Sequence, residues 1–479
     1  MSKLYIFGIG GTGARVMRAL TMLMASGVRL GADAVVPIII DPDAGNADLS
    51  RTTALINTYT AISQRLDRPG ENAFFRTKIE SIAPDNMLEI KDTTDESFKN
   101  YIGLDTMTDK ASECLIRMLF SKKNLDSDMK VGFKGNPNIG SVVLNQIVGS
   151  DTFKEFSSQF ANGDKIIIIN SIFGGTGASG FPLLLKILRY SNANDFPKAP
   201  IINNAVIGAV TVLPYFNVQS EDEEKSVINS TTFNSKAKSA LAYYEDNIYK
   251  NGDIDDLYFI GDDLKSKPYK NVEGGPEQEN PAHLIEMLAA TAIVDFSNNN
   301  QDVRPVRPCC LELGLKDMDD ASPVTFSCLN DNLRAMLYKP MIAFTLMANL
   351  FHYHFRELAD SKQDFNTPFP GFYASNNRFI SNLNTFITRP NGYVSWLEEM
   401  EQNQRSLKFF NLEDLPDPFK LVAGIEPAKG GLFSKKKYDL LYSKLSKAVR
   451  GINVIKNDDP NTFMEMFYVA MSKLVDEKF

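Results

Sequence analysis

The chain has 479 residues, of which 43% are hydrophobic, 10% aromatic and 23% charged. These fractions lie near the averages for soluble globular proteins and exclude collagenous, low-complexity and wholly disordered chains. Its 51 basic and 59 acidic residues give a formal net charge of −8, and because nucleic-acid binding requires many cations on one face, we expect no nucleic-acid partner. No apolar run approaches the roughly 20 residues that a bilayer span needs, and the first residues carry no apolar segment of secretory-signal length. We therefore expect a cytoplasmic protein without a membrane span. The four cysteines and three histidines show no metal-ligand spacing, so neither a disulfide framework nor a zinc site is expected.

The first half of the chain alternates short β-rich apolar runs with helical patterns, which is typical of a parallel sheet with crossover helices. The predicted strands are Leu4–Phe7, Val35–Ile40, Lys165–Asn170, Ala205–Leu213 and Leu257–Ile260. The run Ile166–Ile169 is uninterrupted rather than alternating, so it should lie inside the sheet with both faces covered. Helical spacing of apolar residues after the first and third strands predicts crossover helices there.

The second half of the chain lacks the alternation of strand and helix patterns seen in the first. Lys265–Pro281 lacks apolar periodicity and predicts an exposed loop. A helix should follow, with Asn280 as its N-cap and Pro281 at its first position. Further helices are predicted near residues 331–359, 438–450 and 461–477. These patterns predict three parts: an α/β domain over residues 1–264, a loop and core helix over 265–300, and a mostly helical C-terminal domain over 301–479.

Two glycine loops stand between a strand and a helix. Gly8–Gly13 (Gly-Ile-Gly-Gly-Thr-Gly) follows the first strand and opens the first helix, where backbone N–H groups and the helix dipole bind phosphate. It lacks the Lys-Ser/Thr ending of a Walker loop. Phe173–Gly180 follows the buried third strand in the same way. A dinucleotide fold needs one such loop, whereas a mononucleotide triphosphate held from two sides uses two, so the pair favours a mononucleotide over NAD(P).

Four glycine- or aspartate-containing segments lie along about the first 265 residues, at Gly8–Arg15, Ile38–Ala44, Gly135–Gly140 and Gly174–Pro182. They resemble the first loop (GVGGGGGN), the second-strand loop (AVNTDAQ), the third loop (GANPEIG) and the signature loop (GGGTGSG) of the tubulin/FtsZ GTPases. The signature loop is the most specific of the four. The whole chain looks like a divergent bacterial tubulin-like protein, which implies a Rossmann-like GTPase domain, a core helix and a divergent C-terminal region.

The resemblance implies roles for residues around the phosphates. In that family the first and signature loops wrap the phosphates through backbone N–H groups. Carried over to this chain, those positions are Gly10, Gly11, Thr12, Gly175, Thr176 and Gly177. Arg15, which replaces the Asn of the family's first loop, is placed among the nucleotide contacts. Asp41 and Asp43 suit a hydrated Mg²⁺, although Asp-Pro-Asp is also turn chemistry. Asn136 is likewise either a phosphate-loop donor or a turn residue.

Base recognition and turnover are carried over from the same resemblance. Asp262, just past a predicted strand, has a carboxylate that can accept two hydrogen bonds from the N–H edge of guanine. Asn247 is a second candidate base contact, and Glu224 is either a ribose contact or a helix-start acid. The family completes its active site with an acid from the next subunit, from the loop after the core helix. No clear NxDxxD/E loop is present, and Asp302 is the best-placed acid.

The main hypothesis is a protein that binds GTP/GDP with Mg²⁺, hydrolyses GTP and self-associates as a homo-oligomer or filament under nucleotide control. Two alternatives stay open. One is a nucleotide-sensing scaffold without turnover that presents its C-terminal helices to a protein partner. The other is an NAD(P)-binding oxidoreductase that uses the first loop and gives Gly175–Gly177 no role.

Overall fold

The computed structural model describes residues 2–66, 74–93, 96–129, 132–133, 135–216, 230–262, 275–299, 303–312, 322–353, 375–388, 390–412, 418–425, 437–451 and 459–479.

A parallel sheet forms the centre of the described structure. Its strands are β1 (Lys3–Ile9), β2 (Ala34–Ile40), β3 (Lys78–Ile79), β4 (Met87–Leu88), β5 (Lys165–Ser171), β6 (Val206–Val212), β7 (Asp256–Ile260) and β8 (Cys309–Glu312). Their order is β3-β2-β1-β5-β6-β7-β8, and the short β4 pairs with the end of β2. Every pairing is parallel. All strands therefore end at one side of the sheet, here called the carboxyl edge, and begin at the opposite side, the amino edge.

Helices cover the sheet and continue beyond it. They are α1 (Gly10–Ala25), α2 (Ala47–Ser63), α3 (Phe98–Tyr101), α4 (Lys110–Leu119), α5 (Lys122–Leu125), α6 (Pro137–Val143), α7 (Asp151–Gln159), α8 (Thr176–Tyr190), α9 (Ala199–Ile202), α10 (Ser230–Tyr244), α11 (Leu284–Asn298), α12 (Asp331–Tyr353), α13 (Asn377–Ile387), α14 (Tyr393–Gln402), α15 (Lys437–Gly451) and α16 (Pro460–Lys478). Short 3₁₀ turns lie at Pro84–Asn86, Leu104–Thr106, Leu144–Gly149, Phe326–Cys328 and Pro418–Lys420, and a π turn at Glu245–Tyr249.

The α/β prediction is confirmed, as are all five predicted strands. The four side chains of Ile166–Ile169 are fully buried, because α1 and α8 both pack on β5. A strand covered on both faces needs apolar residues at every position. The run of isoleucines therefore marks the middle of the sheet.

The start of α11 corrects the sequence prediction. Asn280 is not its N-cap, because the helix begins at Leu284; the backbone N–H and side-chain amide of Asn280 instead donate to Asp48, at 3.0 and 2.7 Å. His283 caps the helix instead, and its Nδ1 accepts from the N–H of Ile285 at 3.0 Å. Burial lowers the pKa of His283 to about 3, so the imidazole is neutral and its nitrogen can accept. Glu286 completes the capping box by accepting from the N–H of His283 at 3.2 Å.

The core helix α11 leads back into the sheet. It packs on α1, β6 and β7, and the chain then adds β8 beside β7. The unit β7-α11-β8 is therefore a crossover connection of the parallel sheet. β8 lies within the region that the sequence assigns to the C-terminal domain.

The described chain after β8 is mostly helical, as predicted. α16 packs against α12 and α15, and α13 packs against α2 of the α/β part. The predicted helix over 331–359 is seen to Tyr353, and its last six residues lie outside the described ones. Within the described chain, no helix combines the length and apolarity required to cross a bilayer.

Candidate functional site

The two glycine loops meet at the carboxyl edge. Gly10 opens α1 with φ +75°, in the left-handed region that favours glycine. A Cβ added there would lie 3.4 Å from the Cβ of Thr176 and 3.5 Å from the N of Gly177. The first loop and the signature loop are therefore in direct contact, at the points where α1 and α8 begin.

The third loop joins them. A Cβ added at Gly175 would lie 3.0 Å from the N of Gly135 and 3.3 Å from the N of Asn136. Asn136 precedes the first residue of α6, and its side-chain amide donates to the carbonyl of Phe133 at 3.2 Å. Three chain segments that are far apart in sequence thus form one cluster of backbone at this edge.

The glycines of this cluster are required for different reasons. A Cβ added at Gly177 would lie 2.7 Å from the N of Ser171, so close packing of α8 on the end of β5 already requires glycine. A Cβ added at Gly13 would likewise lie 2.5 Å from the carbonyl carbon of Gly8, so close packing requires glycine there too. At Gly11, by contrast, an added Cβ would have no described atom within 4 Å. Packing in the described structure does not explain Gly11, and this open side is where a ligand can approach the backbone.

The electrostatics at this point favour an anion. Neither α1 nor α8 has a side chain that caps its N-terminus, and neither has an acidic residue in its first turn. The first backbone N–H groups of a helix have no partner within the helix, and the dipole places positive potential there. Two such ends side by side make a binding place for phosphate.

Asp41 and Asp43 follow β2, the strand next to β1, and both are buried. Oδ1 of Asp41 accepts from the N–H of Asp43 at 3.0 Å, and Oδ2 of Asp43 accepts from the N–H of Gly275 at 2.8 Å. Burial, together with the negative charge of Asp43, raises the pKa of Asp41 to about 7. A bound cation would favour the charged form of Asp41. Among the described residues no three potential ligands cluster, so a Mg²⁺ ion here would take its other ligands from water and phosphate.

Arg15 lies within a buried ionic network on α1. Its Nε is 2.8 Å from Oε1 of Glu286, a contact outside hydrogen-bond geometry, and its Nη1 is 3.5 Å from Oδ2 of Asp48. Nη2 donates to the hydroxyl of Tyr215, which in turn donates to Glu286 at 3.0 Å. Burial raises the pKa of Glu286 despite the nearby guanidinium. The guanidinium of Arg15 therefore contacts Asp48, Tyr215 and Glu286 of this network.

The network extends to the C-terminal helices. Arg51 of α2 lies 2.7 Å from Oδ1 of Asp48. Arg18 of α1 makes two hydrogen bonds of 2.8 Å with Glu399 of α14. Glu399 also accepts from the N–H of Ala282 at 2.8 Å. Sequence reasoning missed this network, and the only local signal was the presence of two arginines in an otherwise apolar helix.

Asp262 follows β7 at the carboxyl edge, the same edge as the glycine loops. Its Oδ2 lies 3.3 Å from Nε of Arg405. Both side chains are largely buried, with 22% and 18% of their surface exposed. The candidate base-reading carboxylate is thus held by a cation from the C-terminal region.

Asn247 lies at the other edge. It belongs to the π turn that continues α10, which runs back from the end of β6 toward the start of β7. Its neighbour Ile248 accepts from the N–H of Asp253 at 3.0 Å, and Asp255 donates to Ile207 at the start of β6 at 2.9 Å. These contacts belong to the amino edge, so we remove Asn247 from the proposed nucleotide site.

Two other candidate residues, Glu224 and Asp302, lie outside the described residues. Residues on both sides of Asp302 are described. Asn299 is the C-cap of α11, and its carbonyl accepts from Nζ of Lys165 at the start of β5. Val303 leads toward β8 and is 77% exposed. The described residues on either side of Asp302 therefore belong to the amino edge.

No protein-family model and no curated protein matches this sequence. Similar solved structures include CetZ from Methanosaeta thermophila, with 16% identity over 55% of this chain and 46% of that one, at a TM-score of 0.29. CetZ1 from Haloferax volcanii, a GDP-bound monomer, has 13% identity over 61% of this chain and 58% of that one, at 0.29. CetZ2 from Haloferax volcanii, a GTPγS-bound protofilament, has 13% identity over 62% and 58%, at 0.28. This chain spans about half of the length of these proteins.

Proposed function

We propose that this chain binds a guanine nucleotide with Mg²⁺ at the carboxyl edge of its sheet and hydrolyses GTP when copies of it associate. The observation that carries the proposal is the contact between the first loop and the signature loop at the start of α1 and α8. Two helix N-termini without side-chain caps meet here, and packing in the described structure does not account for the glycine at Gly11. Both features suit a chain of phosphates held from two sides.

The phosphate contacts are proposed to be backbone N–H groups. Gly10, Gly11 and Thr12 supply them from the first loop, and Gly175, Thr176 and Gly177 from the signature loop. Asn136 adds the third loop, whose backbone touches Gly175. Arg15 has a different proposed role, because its contacts with Asp48 and Glu286 fix α1 to α2 and α11. It acts by positioning the helix that carries the first loop.

Asp41 is the proposed principal carboxylate for Mg²⁺. Asp43 already accepts from Gly275, which leaves Asp41 as the buried acid that gains most from a nearby cation. Bound Mg²⁺ would neutralise phosphate charge, and water and phosphate oxygens would complete its coordination. Asp262 is the proposed guanine reader, with Arg405 holding its carboxylate in place.

Turnover is proposed to need a second copy of the chain. The seven residues of β5 separate the two edges by roughly 23 Å at about 3.3 Å per residue. The described residues that flank Asp302 contact the amino edge, through Asn299 with Lys165 and Arg304 with Asp255, far from the glycine loops of their own chain. A head-to-tail arrangement would bring the amino edge of one copy to the carboxyl edge of the next.

Identification of the bound nucleotide tests the proposal most directly. The purified protein is denatured, the released small molecules are separated by anion exchange, and the retention times are compared with those of standards. GDP or GTP is expected. A nicotinamide dinucleotide would instead support the oxidoreductase. If the protein is isolated empty, titration calorimetry with GDP, ADP and NAD⁺ gives the same discrimination.

A further inference from the structure

A cavity of about 680 Å³ opens between α6, α8 and α10, behind the signature loop. Its volume lies within the range of natural small-molecule sites, about 300–1,000 Å³. Its lining on α8 begins at Ala178, beyond the signature-loop residues, and it includes none of the residues proposed to hold phosphate. It therefore forms a second concave site on the α/β part.

The chemistry of its wall favours an organic anion. Two lysines, Lys186 of α8 and Lys236 of α10, line it, and its described lining contains no carboxylate. Within the described chain neither lysine has an ion-pair partner. Ile172, Leu183 and the ring of Tyr243 supply an apolar wall beside them.

The serine hydroxyls of the wall do not alter this preference. Three of the four lining serines, Ser141, Ser179 and Ser239, donate to a backbone carbonyl of their own helix or its N-cap, at 3.0, 2.7 and 3.1 Å. The lysine ammonium groups are therefore the charged donors that face no carboxylate. A ligand with a flat apolar body and one anionic group matches both properties.

Lys236 also connects the cavity to the third loop. Its Nζ donates to the carbonyl of Gly135 at 2.7 Å, and half-burial lowers its pKa. An ammonium group has three donors, so it can hold an anion while it keeps the bond to Gly135. Gly135 in turn lies against Gly175 of the signature loop.

We propose that this cavity binds a small organic anion with an apolar body, and that the ligand orders the third loop through Lys236 and Gly135. The binding site itself stands independently of the nucleotide proposal. If the third loop contacts phosphate as proposed above, occupancy would also change nucleotide affinity.

The probe for the test is 1-anilinonaphthalene-8-sulfonate, titrated into the full chain and followed by fluorescence. Saturable binding is expected for the wild type. Lys236→Met should weaken binding at least fivefold, and Ser239→Trp, which fills the cavity, should abolish it. Lys238→Met is the matched control, because Lys238 is exposed on the same helix and does not line the cavity. Its affinity should stay within twofold of the wild type.

A rival apolar surface is controlled in the same way. Met118 of α4 is 79% exposed, and the probe also binds exposed apolar side chains. Loss of the signal in Met118→Glu together with an unchanged signal in Ser239→Trp would overturn the proposal. Circular dichroism and melting curves establish that each variant is folded.

Amide hydrogen exchange tests the connection to the third loop without any nucleotide. Saturating probe should slow exchange of the amides between Gly135 and Gly140 at least threefold in the wild type. In Lys236→Met without probe these amides should exchange faster, because Gly135 has lost its donor, whereas Lys238→Met should leave them unchanged. Binding of the probe in the cavity with unchanged exchange at the third loop would overturn the coupling.

Discussion

Replacing Gly11 by aspartate should affect stability and ligand binding in opposite directions. Gly11 belongs to α1, and unlike Gly10 it has no positive φ. An added Cβ has no described atom within 4 Å, so the fold has room for a side chain to start there. A carboxylate in the first turn of a helix stabilises it by about 0.3–1 kcal/mol at low ionic strength. The free energy of unfolding of Gly11→Asp should therefore equal or exceed that of the wild type.

Nucleotide binding should move the other way. If a phosphate lies against the open side of Gly11, the new carboxylate stands about 5 Å from a phosphate charge. At an effective dielectric constant of about 20, the repulsion is roughly 3 kcal/mol per unit charge. Such a loss corresponds to more than a hundredfold in Kd.

Gly11→Asn is the matched control, because asparagine has nearly the same shape without the charge. We expect it to weaken binding far less than Gly11→Asp. Urea unfolding gives the stability and titration calorimetry with GDP gives the affinity. A stable Gly11→Asp variant that binds GDP as tightly as the wild type would remove the first loop from the phosphate site.

Four further outcomes follow from the site. The Mg²⁺ affinity of the nucleotide-bound protein should rise about tenfold from pH 6 to pH 8, because the pKa of Asp41 is about 7 and the metal binds its charged form. In Asp41→Asn this part of the pH dependence should disappear, and only the part caused by titration of the nucleotide should remain. Calorimetry measures the Mg²⁺ affinity in both proteins. Asp262→Ala should cost about 1–3 kcal/mol in GTP affinity and little in ATP affinity, since the donors of guanine lose their acceptor; equal losses would contradict base reading. Asp302→Ala should stop GTP hydrolysis and spare GTP binding, and the specific activity of the wild type should rise with protein concentration in a phosphate-release assay. Glu399→Ala should lower the free energy of unfolding by about 3–5 kcal/mol, because it leaves buried Arg18 without its partner; a urea midpoint like that of the wild type would refute this.

The pH dependence of Asp41 has a counterpart in stability without Mg²⁺. Its pKa in the folded chain lies above the ordinary value for aspartate, so the folded state binds the proton more tightly than the unfolded one. The contribution of Asp41 to stability is therefore fully present below about pH 4 and declines as the pH rises toward 7. Bound Mg²⁺ should reverse this decline, because it compensates the buried charge.

Local signals allowed the sheet and the loops to be predicted from the sequence. The run Ile166–Ile169 is typical of a strand covered on both faces, and the glycine turns follow strands and open helices. The start of α11 was misplaced because Asn280-Pro281 is a strong local cap signal. In the structure the backbone N–H and the side-chain amide of Asn280 both donate to Asp48, more than 200 residues away in the chain. The helix begins only at Leu284.

Long-range contacts explain the other departures. Arg15 meets Asp48, Tyr215 and Glu286, whose positions no local pattern links to it. β8 escaped prediction because it has only four residues and pairs along one side with β7. Asn247 was offered as a second base contact from the family resemblance, but the direction of α10 carries it to the amino edge.

The contact between the two loops also separates the open hypotheses. An oxidoreductase that used only the first loop would leave Gly175–Gly177 without a role. In the structure Thr176 and Gly177 lie against Gly10, so the signature loop shares the place at the carboxyl edge where the first loop begins α1. A phosphate chain held from two sides fits this arrangement better than the single pyrophosphate contact of a dinucleotide fold.

The enzyme and the sensing scaffold differ at the opposite edge. Both need the phosphate site, and only the enzyme needs an acid from another copy. α11 joins the two edges, because its capping box contacts Arg15 of α1 through Glu286, and its last residues lead to the segment around Asp302. A scaffold would use the phosphate site without Asp302, so Asp302→Ala would leave it unchanged. Hydrolysis that depends on both Asp302 and protein concentration would require the two edges of neighbouring copies to act together.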